Sequence, residues 1–335
     1  MVIDIARQHS LKKLTRVKKT IDICCVGEVL IDFIGHQMDA RIESTKDYHR
    51  FLGGSPTNVA MNMARLGMDV RLASTIGDDG FGDYVKVKLS ENRVPLTYVR
   101  TEDVQPTSVI FVSKTSGTPD FIPYRHADMM IMKNQLPSAM LANTKIFHTT
   151  AFALSKNPAR TTILEKAKEA FDLGCALSID INYSPRIWPD RAKAMETIKA
   201  YCQYNPLIKI SEDDMERLFD QQLTHEEIFT FFHDHLKVDL VCLTMGSKGV
   251  TLSRKAEKPG GEHSKISLPA QRVEEIMDAT GAGDAFWSGF LFAYAKDFEM
   301  ERCLKIALSL AAIKLQNVGR LPQNVDLINK LLQIS

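Results

Sequence analysis

Long apolar runs are the first thing this chain lacks. None approaches the roughly 20 residues that a bilayer-crossing helix needs, so no segment is a candidate membrane span. Charge of one sign is lacking too. The 42 Lys and Arg nearly cancel the 41 Asp and Glu, for a net charge of +1, which removes any global argument for nucleic acid or an anionic membrane surface as a partner. Cysteine is sparse: six residues without a C-x-x-C, of which only Cys24 and Cys25 lie close together. Neighbours in a strand point to opposite faces, so these two cannot easily share a metal. Reduced, buried thiols in a cytosolic protein are the expectation.

Several catalytic signatures are missing as well. There is no G-x-x-x-x-G-K-[ST], no strand followed by G-x-G-x-x-G and no G-x-S-x-G. A P-loop enzyme is thereby excluded, the dinucleotide-binding fingerprint is absent, and a nucleophile-elbow hydrolase is disfavoured. His233 and His235 in "FFHDHLK" stand two apart on a predicted helix, hence on different faces. They read as part of a surface helix rather than as metal ligands.

What is present is alternation. With 335 residues the chain can bury a full core. Residues 1–20, containing "RQHSLKKLTRVKK", form a basic extension without the apolar core of a secretory signal. From Ile21 on, apolar β-branched runs such as "IDICCVGEVLIDFIG", "TKIFHTTAF", "CALSIDIN", "LIKIS" and "VDLVCLTMG" alternate with helical patterns such as "ARTTILEKAKEAFDLG" and "DRAKAMETIKAYCQYN". Such alternation predicts a doubly wound α/β fold of three layers, a mostly parallel sheet covered by helices on both faces. Two stretches break the rhythm, roughly Phe33–Leu52 and Tyr98–Arg125. They are expected to form a small antiparallel β lid over residues 33–52 and 98–125.

In a parallel sheet of this kind ligands sit beyond the carboxyl ends of the strands, so the turns there are the places to search. In "DATGAGDAFWSGF", Gly281 and Gly283 permit a tight turn, and the first amides of the following helix have no intrahelical partners. With the helix dipole they favour a phosphate-like anion, while Asp284 reads either as a cap or as a base. "LGGSPTNVA" sets Gly53 and Gly54 before a helix whose first turn carries Asn58, an arrangement open to a sugar or to a plain turn. Asp32 falls near the end of the first predicted strand, where a carboxylate can accept two hydroxyls or simply be solvated. In "LTMGSKGV", Thr244, Gly246, Ser247 and Gly249 follow an apolar strand and suit either a nucleotide or a hairpin.

Together these segments resemble the PfkB/ribokinase family of sugar kinases from about Ile21 to the C-terminus. "GGSPTNVAMNMARLG" matches its N-terminal pattern and "DATGAGDAFWSGF" its D-T-x-G-A-G-D signature, with Ala279 at a variable place. The resemblance implies Asp284 as catalytic base and the amides of Gly281, Ala282 and Gly283 as the anion hole for the transferring phosphoryl. It implies sugar contacts from Asp32, Gly53, Gly54, Asn58, Arg125 and Asp180. Nucleotide contacts would come from Asn182, Ser211, Thr244, Gly246, Ser247, Gly249 and Asn317. Asp278 and the Thr280 carbonyl match a monovalent-cation (K⁺) site, Asp214 a carboxylate of the Mg²⁺ water shell, and ATP would be the donor.

Within the family the segments "GEVLIDFI", "GDDGFG" and "YRHADMM" look most like bacterial fructokinases. A kinase of a sugar acid or nucleoside, or a non-catalytic sensor on the same fold, are the alternatives. "DINYSPRIW" departs from the pattern of 2-keto-3-deoxygluconate kinases. Ser184 stands where an Arg is usual, with Arg186 two residues on. The edges of the lid strands also make a homodimer through the lid an expectation.

Overall fold

The computed structural model describes residues 19–114, 120–258, 260–317, 321–322 and 325–334. The basic extension over residues 1–20 falls, but for its last two residues, outside the described residues, as does part of the expected lid, 115–119. In chain order the regular elements are β1 (Ile21–Val26), β2 (Leu30–Met38), β3 (Tyr48–Gly53), α1 (Ser55–Arg65), β4 (Val70–Gly77), α2 (Gly80–Glu91) and β5 (Val99–Glu102). Then follow β6 (Val109–Lys114), β7 (Phe121–Tyr124), α3 (Ser138–Ala142), β8 (Thr144–Thr150), α4 (Ala159–Asp172), β9 (Ala176–Asp180), α5 (Arg191–Cys202) and β10 (Leu207–Ser211). The chain ends with α6 (Glu212–Phe219), α7 (His225–Thr230), β11 (Leu240–Thr244), β12 (Val250–Arg254), β13 (Ser264–Leu268), α8 (Ala282–Tyr294), α9 (Met300–Leu315) and α10 (Val325–Leu332).

Nine strands form one sheet in the order β13-β12-β11-β10-β9-β8-β1-β4-β5. Every pairing from β5 to β11 is parallel, and only β12, antiparallel to both β11 and β13, reverses direction near one edge. Strands buried on both faces tend to be apolar throughout, as in β11 (LVCLT) and, but for Asp22, β1 (IDICCV), while β8 (TKIFHTT) buries hydroxyls and His148 instead. The two core clusters lie on opposite faces of this sheet, and Cys24 belongs to one while Cys25 belongs to the other. All six thiols are free and buried. Among the described residues no helix is long and apolar enough to cross a membrane.

The second sheet, β3-β2-β6-β7, is the lid. It is not wholly antiparallel: β2 pairs with β6 in parallel, between two antiparallel pairs. The expected lid segment from residue 98 also begins too early. Val99–Glu102 pairs in parallel with Ser74–Gly77 and closes the large sheet, because Val99 packs against that sheet's core. The run read as one first strand is two. The chain leaves the large sheet at Gly27, where a Cβ would lie 2.6 Å from Pro56 Cγ, and re-enters regular structure as lid strand β2. Asp32 therefore sits on the lid, not on the central sheet.

His233 is a further correction. It is fully buried in a π-helical turn, its Nδ1 paired with Val238 O at 2.7 Å and its Nε2 with Ser253 Oγ at 2.8 Å. One helical face packs inward, and the periodicity of so short a segment did not reveal which.

Helices α8 and α9 pack closely because Gly289 faces Ala307: a Cβ there would stand 2.9 Å from Ala307 Cα. A helical Gly→Ala change ordinarily stabilises by about 1 kcal/mol. Here space decides the sign, and Gly289→Ala is expected to destabilise by about 1–3 kcal/mol in denaturant unfolding.

Candidate active site

Two helix N-termini face one another across the carboxyl end of the sheet. One belongs to α1, the other to α8. Each begins after a glycine in a conformation other residues avoid: Gly54 has φ 103° and Gly281 φ 75°. At Gly54 a side chain would also strike the Glu28 carbonyl at 2.3 Å. The turn into α1 thus brings Ser55 and Asn58 toward the first turn of α8. Ser55 Oγ donates to Asp284 Oδ1 at 2.6 Å, and Asn58 Nδ2 donates to Oδ2 at 2.8 Å. Asp284 is half-buried. Burial raises its pKa above the ordinary carboxylate range, against the pull of the Ser55 and Asn58 hydrogen bonds and the ammoniums of Lys209 and Lys314.

Asp32 reaches the same region from lid strand β2. Its carboxylate lies so close to Gly53 that any side chain there would collide with it at 2.1 Å. Burial, reinforced by the charge of Asp284, pushes Asp32 up to about 7. Asp32, Asn58, Asp278, Thr280 and Gly281 line one cleft, roofed by Ile34 and Phe51 of the lid. Sequence reading named these five separately, and the fold brings them together. The turn itself is open: Gly283 is exposed, and Gly281 and Ala282 are half-buried. Ala282 N–H bonds to Ala279 O at 3.2 Å, so its service in an anion hole requires that bond to open.

Asp180 sits at the end of β9, buried, with Oδ2 paired to Lys209 Nζ at 2.8 Å. Asp180, with Asp214 and Asp284 behind it, holds Lys209 in its ammonium form despite burial. Lys209 lies directly under the signature turn, since a Cβ on Gly283 would be 3.2 Å from its Nζ.

The other expected sugar ligand, Arg125, is committed elsewhere. Its Nε bonds to Asp128 at 2.9 Å, a second nitrogen binds Phe152 O at 3.3 Å and Ser155 Oγ, and its guanidinium covers the Phe152 ring at 4.1 Å. The side chain is only 6% exposed, which leaves it an anchor between lid and body. Arg186, two residues beyond Ser184, has its guanidinium over the Phe121 ring at 5.9 Å. It pairs with Asp120 at the start of β7.

On the nucleotide side, Thr244, Gly246, Ser247 and Gly249 form the turn between β11 and β12, so the hairpin geometry holds and the turn lies at a strand's carboxyl end. Ser211 caps α6 by accepting the Asp214 amide at 3.1 Å. Asp214 is paired with Ser211 Oγ and Arg217 and only 8% exposed. Asn182 is a strand tie, accepting Phe152 N at 3.0 Å, and Asn317 Nδ2 bonds to Ile313 O at 2.7 Å.

The monovalent-cation expectation at Asp278 and Thr280 does not fit. Lys314 Nζ stands against the Asp278 carboxylate at 3.0 Å, the Asp278 carbonyl at 3.4 Å and the Asn317 carbonyl at 3.2 Å. An ammonium and a second cation cannot share those oxygens.

Sequence reading missed Glu28, Ser55, Lys209 and Lys314. The available signal was a single charged residue within an apolar run, as in "VGEVL", "LIKIS" and "AAIKL".

A family model described as pfkB family carbohydrate kinase matches residues 20–324. The chain belongs to this family. It is therefore a carbohydrate kinase, a phosphotransferase. It is 33% identical over 309 residues to an ATP-dependent 6-phosphofructokinase of Thermoanaerobacterium thermosaccharolyticum, covering 92% of each chain. It is 31% identical over 296 residues to a probable fructokinase of Arabidopsis thaliana, covering 86% of this chain and 88% of that one. The solved fructokinase of Halothermothrix orenii superposes with a TM-score of 0.75 at 30% identity, covering 87% of this kinase and 98% of that chain.

The kinase also holds a buried acid whose titration can be followed. Glu28 accepts Ser55 N at 3.1 Å and Thr150 Oγ1 at 2.9 Å, and burial pushes it up to about 8. In the unfolded chain its pKa is about 4.3, so between those values the folded state binds more protons and stability falls as pH rises. Glu28→Gln can keep the Ser55 N bond at its amide oxygen, reverses the Thr150 bond so that the amide nitrogen donates to Oγ1, and removes the titration. The expected outcome is a flatter melting-temperature profile from pH 5 to 8, with the variant gaining on wild type at the alkaline end.

Proposed function

We propose that this kinase transfers the γ-phosphoryl of MgATP to a primary hydroxyl of a ketohexose, with Asp284 as the general base. The observation that supports this best is the Asp284 carboxylate, fixed by Ser55 and Asn58 at the first turn of α8 beside an open glycine turn. Phosphoryl transfer asks for alignment and charge stabilisation more than covalent help. A base and a row of helix N-terminal amides on one turn supply both. The acceptor hydroxyl approaches from the Asp32 side of the cleft and gives its proton to Asp284. The amides of Gly281, Ala282 and Gly283 meet the charge of the transferring group, and Lys209 adds a positive charge beneath them.

ATP in this reading lies along the Thr244–Gly249 turn, near Ser211 and Asn317, and brings Mg²⁺ with it. Asp214 is the acid available to the metal's water shell through the lone pairs its partners leave. Gly53, Gly54, Asn58 and Asp32 orient the sugar. Asp180 acts through Lys209, and Arg125 holds the lid rather than the sugar.

Fructose is the sugar we favour, because the two cations that line the cleft are already engaged within the protein, Arg65 by Asn92 and the Leu321 carbonyl and Lys314 by Asp278. Fructose 6-phosphate is the second reading. The 6-phosphofructokinase relative favours it, as does a recess between lid and body lined by Arg50, His126, Thr107 and the start of α2. We extend the proposal to a homodimer through the lids. The lid face opposite Asp32 carries a cluster of rings, Phe33 stacked on Phe111 at 5.0 Å with Tyr48 and Tyr124 edge-on to Phe111, and Tyr124 is 51% exposed.

Coupled ADP release with MgATP, measured against fructose, fructose 6-phosphate and 2-keto-3-deoxygluconate, tests the substrate. Turnover at least tenfold faster on fructose is the expected result, and preference for the phosphate would install the second reading. Asp284→Asn should cut kcat by about 10²–10⁴ with ATP and sugar binding retained. Because the base must be ionised and its pKa is raised, the acid limb of kcat/KM should stand above the ordinary carboxylate range. A variant that turns over at the wild-type rate would remove Asp284 from the reaction.

A further inference from the structure

Lys314 lies near the end of α9, on the buried side of that helix after the apolar run "LAAI", and its side chain is 5% exposed. A buried ammonium must satisfy three N–H donors or it costs several kcal/mol. Three oxygens surround this one, the Asp278 carboxylate and the carbonyls of Asp278 and Asn317. A carboxylate with backbone carbonyls is also the donor set that a monovalent cation would need. The loop is tied at the same place by its backbone, with Met277 N donating to Leu315 O at 2.8 Å and Asp278 N to the same oxygen at 3.3 Å. Asp278 in turn accepts Thr280 N at 2.9 Å, one residue before the glycine that opens the signature turn. The Lys314 Cε stands 3.8 Å from the position of a Gly281 Cβ.

We propose that Lys314 Nζ is a built-in monovalent cation: it holds the 278–281 loop, and through it the Asp284 turn, so that the enzyme works without an exogenous K⁺. Lys314 is a positioning residue in this scheme: it borders the cleft beside Asp278 and Gly281, but its ammonium is committed to the loop oxygens rather than to sugar or nucleotide. An ammonium carries the same single charge as K⁺ and is compact, so it can serve the same oxygens, but it is covalently attached and cannot be diluted away. The consequence for turnover rests on the kinase reading above. The consequence for stability does not.

The test holds ionic strength constant with tetramethylammonium chloride and titrates in KCl. Both melting temperature and kcat are read for wild type, Lys314→Ala and Lys314→Met. Wild type should show no K⁺-specific change in either quantity. Lys314→Ala should melt lower by about 5–10 °C, because the Asp278 carboxylate loses its ammonium counter-charge. Its kcat should fall on the order of 10–10²-fold as the loop loosens. K⁺ or ammonium ions should restore both in the Ala variant, where the vacated space is open, and much less in the Met variant, where it is filled.

A K⁺-dependent rise of severalfold in wild-type kcat, or a K⁺-specific rise in its melting temperature, would overturn the proposal. So would an Ala variant that is weakened but indifferent to K⁺ and ammonium, since Lys314 would then be only a packing residue. If no variant folds, the wild-type titration decides alone. If wild type turns over no sugar at all, the kinase reading fails, while the melting arms still judge Lys314.

Discussion

One carboxylate joins two helix ends, and most of the site follows from that constraint. Asp284 at the start of α8 accepts from Ser55 and Asn58 at the start of α1. A second bond deeper in the same interface, Asn62 Nδ2 to Ser288 Oγ at 3.2 Å, keeps the helices in register. Both N-termini carry positive dipole ends and amides without intrahelical partners. Holding them face to face would be unfavourable without an anion between them, and Asp284 supplies it in the resting protein. The same arrangement is prepared for the negative charge that develops on a transferring phosphoryl group.

The supporting layer is unusually ionic for the edge of a parallel sheet. Glu28, Asp180, Lys209 and Lys314 are each nearly buried. Each is tied to partners: Glu28 to Ser55 and Thr150, Asp180 to Lys209, and Lys314 to Asp278. A buried ion pair is a poor source of net stability, because desolvation cancels much of the attraction. What it fixes here is position. Lys209 stands beneath Gly283 and Lys314 beside Gly281, so the glycine turn is bracketed by two immobile cations. Such charges cost no reorganisation at the moment of reaction, which is the physical basis of preorganised electrostatic stabilisation.

The lid contributes chemistry as well as cover. Asp32 comes from β2, and its face of the lid also carries Ile34 and Phe51 over the cleft. Arg125, clamped to Asp128, Phe152 and Ser155, pins the lid's far end to the body. A lid anchored at one end keeps the Asp32 carboxylate over the cleft, and under the proposed reading it would close on the sugar. Closure of that kind would exclude water from a site that otherwise risks hydrolysing ATP.

Strand–helix alternation, driven by the need to bury both faces of a parallel sheet, was written plainly enough in the sequence to give the fold class, and the two glycine-turn signatures marked the two turns that the fold brings together at one cleft. Local signals carried those features: φ-permissive glycines, helix starts and periodic apolar residues act over a few positions. The lid was legible only in outline. Whether Val99–Glu102 joins it or the main sheet depends on pairing with Ser74–Gly77, more than twenty residues away. Partnership among charged groups was illegible for the same reason. Asp284 and Ser55 are 229 residues apart, Lys314 and Asp278 are 36, and no local pattern encodes which distant cation finds which carboxylate. The sequence by itself determined the layers, the turns and the chemistry on them. Only the tertiary structure decided that Arg125 is an anchor, that Lys209 underlies the signature turn, and that Lys314 stands where a metal cation was expected. Those outcomes depend on long-range geometry, because a charge is neutralised by whatever the completed fold brings within about 3 Å of it.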